Sequence, residues 1–244
     1  MLSTDDAQCH TRSEDQVTSP PAELTPPGNP AWPLVISIEG NIGVGKSTVM
    51  RGLKAAMLQC DVPNPEDVER DVVFIDEPVE EWKAHGFLER MYTEPASKPA
   101  FQHMVLMSLA GDLLKALARK PPPKLIITER SPWGNYHTFG KANLSGNDMK
   151  MYEFTWKRLI AGLPSDLNVR YIYLQAPVAT LVARVQDRAR EEEVGVPSEY
   201  LGCLDALHEE WLQTETWMQT VDASRGCAKV LDDVAHAINE WLEY

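Results

Sequence analysis

Eight residues, Gly40-Asn41-Ile42-Gly43-Val44-Gly45-Lys46-Ser47, carry the types and spacing of a phosphate-binding loop, with four residues between the first Gly and the Gly-Lys-Ser. The chemistry requires these types. Glycines let backbone N–H groups turn inward around phosphate oxygens, and Lys46 reaches the β- and γ-phosphates. Ser47 offers a hydroxyl to a magnesium ion, and the helix that continues through Thr48 adds positive partial charge at its start. The apolar run Leu34-Val35-Ile36-Ser37-Ile38 precedes the loop as a strand, and residues 48–59 follow it with a helical pattern. Strand, loop and helix in that order predict a site for a nucleoside triphosphate with Mg2+. The loop alone does not separate a kinase from a GTPase, a motor or a sulfotransferase.

Two further polar clusters follow apolar runs. Glu77 comes just after Val72-Val73-Phe74-Ile75, and Glu129-Arg130-Ser131 closes Leu125-Ile126-Ile127-Thr128. A carboxylate facing a phosphate loop could act as a general base, worth roughly 10²–10⁴-fold in rate. Equally, a glutamate before a helix is favourable there simply as a negative charge. Glu129 and Arg130 read either as a charged pair ending a strand or as groups that handle phosphate, a task that suits the planar donor fork of Arg. Residues 184–193 read as a charge-rich helix end.

These clusters need a frame that gathers strand ends. The strands are short continuous apolar runs that alternate with helices, which predicts an α/β fold: a five-stranded parallel sheet with helices on both faces. Helices are expected after Pro78, over 99–118, where Phe101, Val105, Leu109, Leu113 and Leu117 recur every four residues, and over 150–160 and 178–190. The fourth strand is expected at 170–174, a helix at 197–221, the last strand at 229–231 and a closing helix at 234–242. In such sheets ligands bind beyond the C-terminal strand ends, where the three clusters lie.

Composition limits the rest. The net charge of −13 argues against nucleic acid as a partner, since phosphate-tracking surfaces are basic. Cys9, Cys60, Cys203 and Cys227 form no closely spaced pair, which argues against a zinc site or a disulfide framework and fits a reducing compartment. No apolar run approaches the ~18 residues of a membrane helix. The N-terminus has no signal-peptide core and is too acidic for a mitochondrial leader, so a cytoplasmic location is expected. Residues 1–33 are polar and acidic and hold six of the 18 prolines, which predicts a disordered tail before one domain over 34–244.

Five stretches in order resemble the deoxynucleoside kinase family, the deoxycytidine, deoxyguanosine and mitochondrial thymidine kinase type. They are the loop from Ile38 to Ser47; Glu77-Pro78-Val79 with Trp82; Met91-Tyr92 with Phe101-Gln102; Glu129-Arg130-Ser131; and the run from Arg188 to Glu193 with Pro197, Tyr200-Leu201, Leu207-His208 and Trp211-Leu212. The resemblance implies a P-loop kinase with an Arg-rich lid. In it Glu77 is the catalytic base, Arg130 positions the 5′-hydroxyl and phosphates, and Glu129 with Ser47 holds magnesium. Arg188 and Arg190 close over the transferring phosphoryl group, Arg184 lies against the adenine of ATP, and Glu193 with Tyr92 bonds the sugar 3′-hydroxyl. Gln102 reads the base edge, Phe101 and Phe139 sandwich the ring, and Trp82 lines the pocket. A homodimer through helices near 99–118 and 147–161 is also implied.

The chain departs from the deoxycytidine and deoxyguanosine members in carrying Leu109 and Asn135 where they resemble each other in an Arg and an Asp. Val105 lies one turn before Leu109. Leu109 and Val105 look more like the residues of thymidine-accepting members, with room for a 5-methyl group, whereas Asn135 is neither the Asp nor the small residue of the resembling members and could hydrogen-bond a base edge. The expected activity is therefore ATP-dependent 5′-phosphorylation of deoxynucleosides, thymidine first and deoxycytidine next. Alternatives are a purine-preferring member, a thymidylate kinase, or an inactive nucleotide-binding subunit. The thymidylate kinase would need extra basic residues for its acceptor's phosphate.

Overall fold

In the computed structural model of the chain, residues 32–59, 71–188, 190 and 196–243 are described. The tail expected over 1–33 lies outside them except for Trp32 and Pro33. The central strand is β1, Leu34–Gly40, whose residues after Leu34 are all buried. It leads through the glycine loop into α1, Lys46–Gln59. Strand β2, Val72–Ile75, is followed by α2, Val79–Ala84, and α3, Phe87–Thr93. The long α4, Lys98–Leu117, has Pro99 in its first turn, where the missing N–H costs nothing. After β3, Leu125–Glu129, a run of short helical turns over 132–143 leads to α5, Gly146–Ile160. Then come β4, Val169–Gln175; α6, Val178–Arg188; α7, Ser198–Leu212; β5, Met218–Asp222; and α8, Cys227–Leu242.

The sheet runs β2-β3-β1-β4-β5 and all its pairings are parallel. Because β1 is central, the chain builds β2 and β3 on one side of it and then β4 and β5 on the other. The C-terminal ends of β1, β3 and β4 therefore lie side by side, the position where such sheets bind ligands. One face packs Ile36, Ile38, Ile127 and Ile172 against Met50 and Leu53 of α1 and Val234 and Ile238 of α8. The other packs Val35 and Ile126 against Leu113, Ala116 and Leu117 of α4. The four-residue repeat of α4 is buried as expected, from Phe101 through Leu117.

Two elements near the C-terminus differ from expectation. The fifth strand is Met218–Asp222, paired with β4 from Tyr171↔Met218 to Gln175↔Asp222, and not 229–231. As an edge strand it buries only Val221 and carries Gln, Thr and Asp, so it offers no continuous apolar run. Val230 belongs instead to the buried stripe Val230, Val234, Ala237 and Ile238 of α8, a helical spacing. Accordingly α7 ends at Leu212 rather than reaching 221.

Candidate active site

The phosphate loop is built from backbone that only glycine tolerates. Gly40 has φ +143°, and a Cβ there would stand 2.6 Å from the Leu174 carbonyl of β4. Gly43 has φ +78° and lies so close to α6 that a Cβ would meet the Val185 side chain at 2.9 Å. The loop is thus wedged between β4 and α6. Lys46 folds back over it, donating to the carbonyls of Gly40 at 2.9 Å and Asn41 at 3.0 Å. Burial, and next the neighbouring Arg130, lower the Lys46 pKa from 10.5 to about 8.

Ile42 through Thr48 line a cavity of about 460 Å³, but Gly40 and Asn41 do not. Asn41 is buried and works behind the loop. Its Nδ2 donates to the Leu201 carbonyl of α7 at 2.8 Å, and its Oδ1 accepts from the Ile42 N–H at 2.8 Å. It braces the loop against α7, and of the loop residues expected to bind ATP it and Gly40 are the two that do not line the cavity.

The ends of β2 and β3 meet in the same cavity. Arg130 Nε donates to Glu77 Oε1 at 3.1 Å, and the guanidinium lies 4.0 Å from the centre of the Phe139 ring. The Ser47 hydroxyl donates to Glu129 Oε1 at 2.7 Å. Burial, and next the like charge of Glu77, raise the Glu129 pKa, while Lys46 and the Ser47 bond oppose the rise. A hydroxyl and a carboxylate this close at a phosphate loop form the hard-oxygen pair that Mg2+ takes beside substrate phosphates. The residues present therefore fit that ion.

The same cavity is lined by Trp82, Tyr92, Phe101, Gln102, Val105, Asn135 and Phe139, residues the sequence placed in one expected pocket. Phe101 and Trp82 meet edge to face with centroids 5.6 Å apart, which fixes the aromatic wall. Gln102 is buried on α4, and its Oε1 has no partner among the described residues. Asn135 donates through Nδ2 to Tyr152 Oη at 2.6 Å and lines the cavity. Leu109 is the exception: it is buried in the cluster behind Trp82, Phe101 and Val105 and does not line the cavity. One helical turn carries it past the pocket floor, so any allowance for a 5-methyl group falls to Val105.

At the donor end, Arg184, Arg188 and Arg190 line the cavity. The Arg184 guanidinium is tied to backbone, donating to Val44 O at 3.2 Å and to Ala223 O at 2.9 Å. Glu193 lies outside the described residues. The turn from β5 into α8 also lines this end through Ala223, Arg225 and Cys227, with Val230 beyond and Arg51 of α1 opposite. Sequence reasoning missed that turn because it placed the last strand at 229–231; a strand at 218–222 would have put these residues at a C-terminal strand end. Val79, Leu88 and Met91, also in the wall, were missed as ordinary apolar positions.

Comparison with known proteins bears on the same residues. A sequence model of the family described as deoxynucleoside kinase matches residues 36–243. The thymidine kinase of Ictalurid herpesvirus 1 (strain Auburn) is 30% identical over 226 residues, covering 88% of this chain and 87% of that protein. Deoxycytidine kinase 1 of Xenopus laevis is 33% identical over 210 residues, with 79% and 78% covered. The deoxycytidine kinase of Homo sapiens is 32% identical over 208 residues, with 77% and 78% covered. A match that spans both the phosphate loop and the acceptor pocket answers the choice the loop alone left open: the chain belongs to the deoxynucleoside kinase family.

Proposed function

We propose that this kinase transfers the γ-phosphoryl group of ATP to the 5′-hydroxyl of pyrimidine deoxynucleosides, thymidine first and deoxycytidine next, for DNA precursor salvage. The carrying observation is the Arg130–Glu77 pair, held at 3.1 Å in a cavity with the phosphate loop at one end and an aromatic, amide-bearing pocket at the other. The 5′-hydroxyl gives its proton to the Glu77 carboxylate as its oxygen bonds to the γ-phosphorus. The bond from that phosphorus to the bridging oxygen breaks, and ADP leaves with the electron pair. Lys46 and Arg130, with Arg188 and Arg190 at the mouth, offset the charge on the phosphoryl oxygens. Ser47 and Glu129 would hold magnesium, which when bound adds positive charge against the phosphates. The loop N–H groups bind the triphosphate, and Arg184 braces the donor end.

The base would lie between Phe101 and Phe139, with Gln102 and Asn135 toward its polar edge and Tyr92 toward the sugar. Val105 leaves an apolar wall for a methyl group, and the relatives include proteins named thymidine kinase and deoxycytidine kinase, both pyrimidine names. The same proposal includes a homodimer through α4 and α5, whose Met107, Met151 and Phe154 are exposed at 53%, 63% and 63%. Such groups mark a contact face where they join into one contiguous apolar patch. A cytoplasmic setting is supported by the unpaired Cys203 and Cys227. Among the described residues no helix is long and apolar enough to cross a membrane.

The test is phosphoryl transfer from MgATP to thymidine, deoxycytidine, deoxyadenosine, deoxyguanosine and thymidine monophosphate. Turnover led by a pyrimidine nucleoside supports the proposal. Turnover led by purines overturns the reading of Val105 and Asn135, and turnover of the monophosphate alone overturns the acceptor site.

A further inference from the structure

Glu39 is a wholly buried carboxyl one residue before the phosphate loop, and it does not line the cavity. It shares its sheet face with Val35 and Ser37, by the alternation of β1. Its Oε1 accepts three hydrogen bonds: from Ser37 Oγ at 2.7 Å, from the Ser131 N–H at 3.0 Å and from Ser131 Oγ at 2.6 Å. Its Oε2 has no partner among the described residues and is pressed against Gly134, where a Cβ would overlap it. A carboxyl held away from water is costly unless it satisfies other groups, and here two of the three donors, the Ser131 N–H and hydroxyl, belong to one turn.

That turn is unusual. Ser131 follows Arg130, whose φ of +68° puts a long side chain in the left-handed region that favours glycine. Strained backbone of this kind persists only where its surroundings fix it. Three contacts do so: Arg130 N–H to Ile38 O at 3.1 Å, Thr128 Oγ1 to Arg130 O at 2.8 Å, and Ser131 N–H to Glu39. We infer that Glu39 is a positioning residue, whose carboxyl holds the left-handed turn at Arg130 through Ser131 and so aims the guanidinium at Glu77 and across Phe139. Without that acceptor the turn relaxes toward an ordinary conformation and the guanidinium leaves its partner. Gly134 belongs to the same device, since a side chain there would displace the carboxyl. The inference rests on the roles proposed for Arg130 and Glu77.

The test compares Glu39→Gln, Glu39→Leu, Ser131→Ala and the Leu/Ala double variant in the full chain. Turnover, KM for nucleoside and for MgATP, and affinity for a non-hydrolysable ATP analogue are measured. The amide of Gln keeps an acceptor oxygen, so Glu39→Gln retains at least about a third of kcat. Glu39→Leu lowers kcat at least about thirtyfold, because misplacing a catalytic group by ~1 Å costs on the order of a hundredfold, while analogue affinity stays within about threefold. Adding Ser131→Ala to Glu39→Leu costs less than about twofold more, since the bond from the Ser131 hydroxyl to Glu39 is already gone in Glu39→Leu. Near-normal kcat in Glu39→Leu, equal losses in Gln and Leu, or losses that multiply in the double variant overturn the inference. If Glu39→Leu does not fold, Glu39→Asp decides, because its shorter side chain draws the carboxyl back from the Ser131 N–H: a loss of about threefold or more in kcat with unmoved analogue affinity supports the inference, and unchanged kcat overturns it. Failure of the unaltered chain to phosphorylate any nucleoside would instead overturn the functional reading.

Discussion

Arg130 Nε donates to Glu77 Oε1 at 3.1 Å, and the two side chains are only 4% and 14% exposed. The bond joins the ends of β2 and β3, and it engages one oxygen of a carboxyl that lines the same cavity as the phosphate loop. A carboxylate so placed can take a proton, whereas its amide cannot. Glu77→Gln is therefore expected to bind MgATP normally and to lose at least about two decades of kcat. Arg130→Lys keeps the charge and loses the fork, so it too should lower kcat more than analogue affinity, by about tenfold or more. Near-normal turnover in Glu77→Gln removes Glu77 from its assigned role.

Lys46 supplies a pH dependence of binding. Its pKa is lowered to about 8 in the free protein, chiefly by burial, and a bound triphosphate favours the charged ammonium. The folded, nucleotide-free protein thus loses the proton as pH rises through about 8, while the complex retains it. MgATP affinity should be flat below that pH and fall by up to about tenfold per pH unit above it. Calorimetric titration with a non-hydrolysable analogue at pH values of roughly 7 and 9 measures this. In Lys46→Arg, whose charge does not titrate in that range, the dependence should vanish.

The catalytic end of the site was legible because its residues sit in short motifs at the ends of strongly apolar strands. The loop, Glu77 and Glu129-Arg130 each follow a short apolar run bounded by turn residues, and the five-stranded parallel sheet follows from the same runs, although β2, at the sheet edge, buries only Ile75. The donor end was legible only in part. Its wall depends on β5, an edge strand that buries one residue and so carries little pattern. Asn41 and Leu109 show a second limit. Motif membership places Asn41 in the loop, but whether its side chain faces nucleotide or α7 depends on the loop's turn, which spacing does not encode. For Leu109, a helical repeat marks a buried face without saying which turn of α4 reaches the cavity. Arg130's left-handed backbone and the carboxyl that braces it left no signal in composition or periodicity.

Asn135 bears on base choice. With one N–H of Nδ2 committed to Tyr152 at 2.6 Å, its second N–H and its carbonyl oxygen are left for the cavity that Asn135 lines. The oxygen would favour the 4-amino group of cytosine and the N–H the 4-oxo group of thymine, while Val105 favours the methyl of thymine. Asn135→Ala is expected to shift the thymidine-to-deoxycytidine kcat/KM ratio by about two- to tenfold, the range of one neutral hydrogen bond, and a shift toward thymidine identifies the carbonyl oxygen as the contact. Competition between the two nucleosides in one reaction reads the ratio directly. An unchanged ratio means that Asn135 does not touch the base.

His208 makes stability pH-dependent from within the site's supporting wall. It is wholly buried between Tyr173, stacked at 5.8 Å, and Phe139, edge-on at 6.3 Å, with Nδ1 bonded to Leu204 O at 2.6 Å. Burial, and next Arg130, lower its pKa from 6.5 to about 3. Below the ordinary value the unfolded chain takes up a proton that the folded protein refuses. Stability therefore falls as pH drops from about 6.5 toward 3, by at most about 1.4 kcal/mol per pH unit for this residue. His137, lowered to about 4 by burial and by Lys141, acts in the same direction. Denaturant unfolding of the unaltered chain and of His208→Leu at pH values of about 7.5 and 5 isolates the contribution. Over that interval the unaltered chain should lose at least about 1 kcal/mol more stability than His208→Leu loses. Equal losses would mean that His208 takes up its proton in the folded enzyme, beside Arg130.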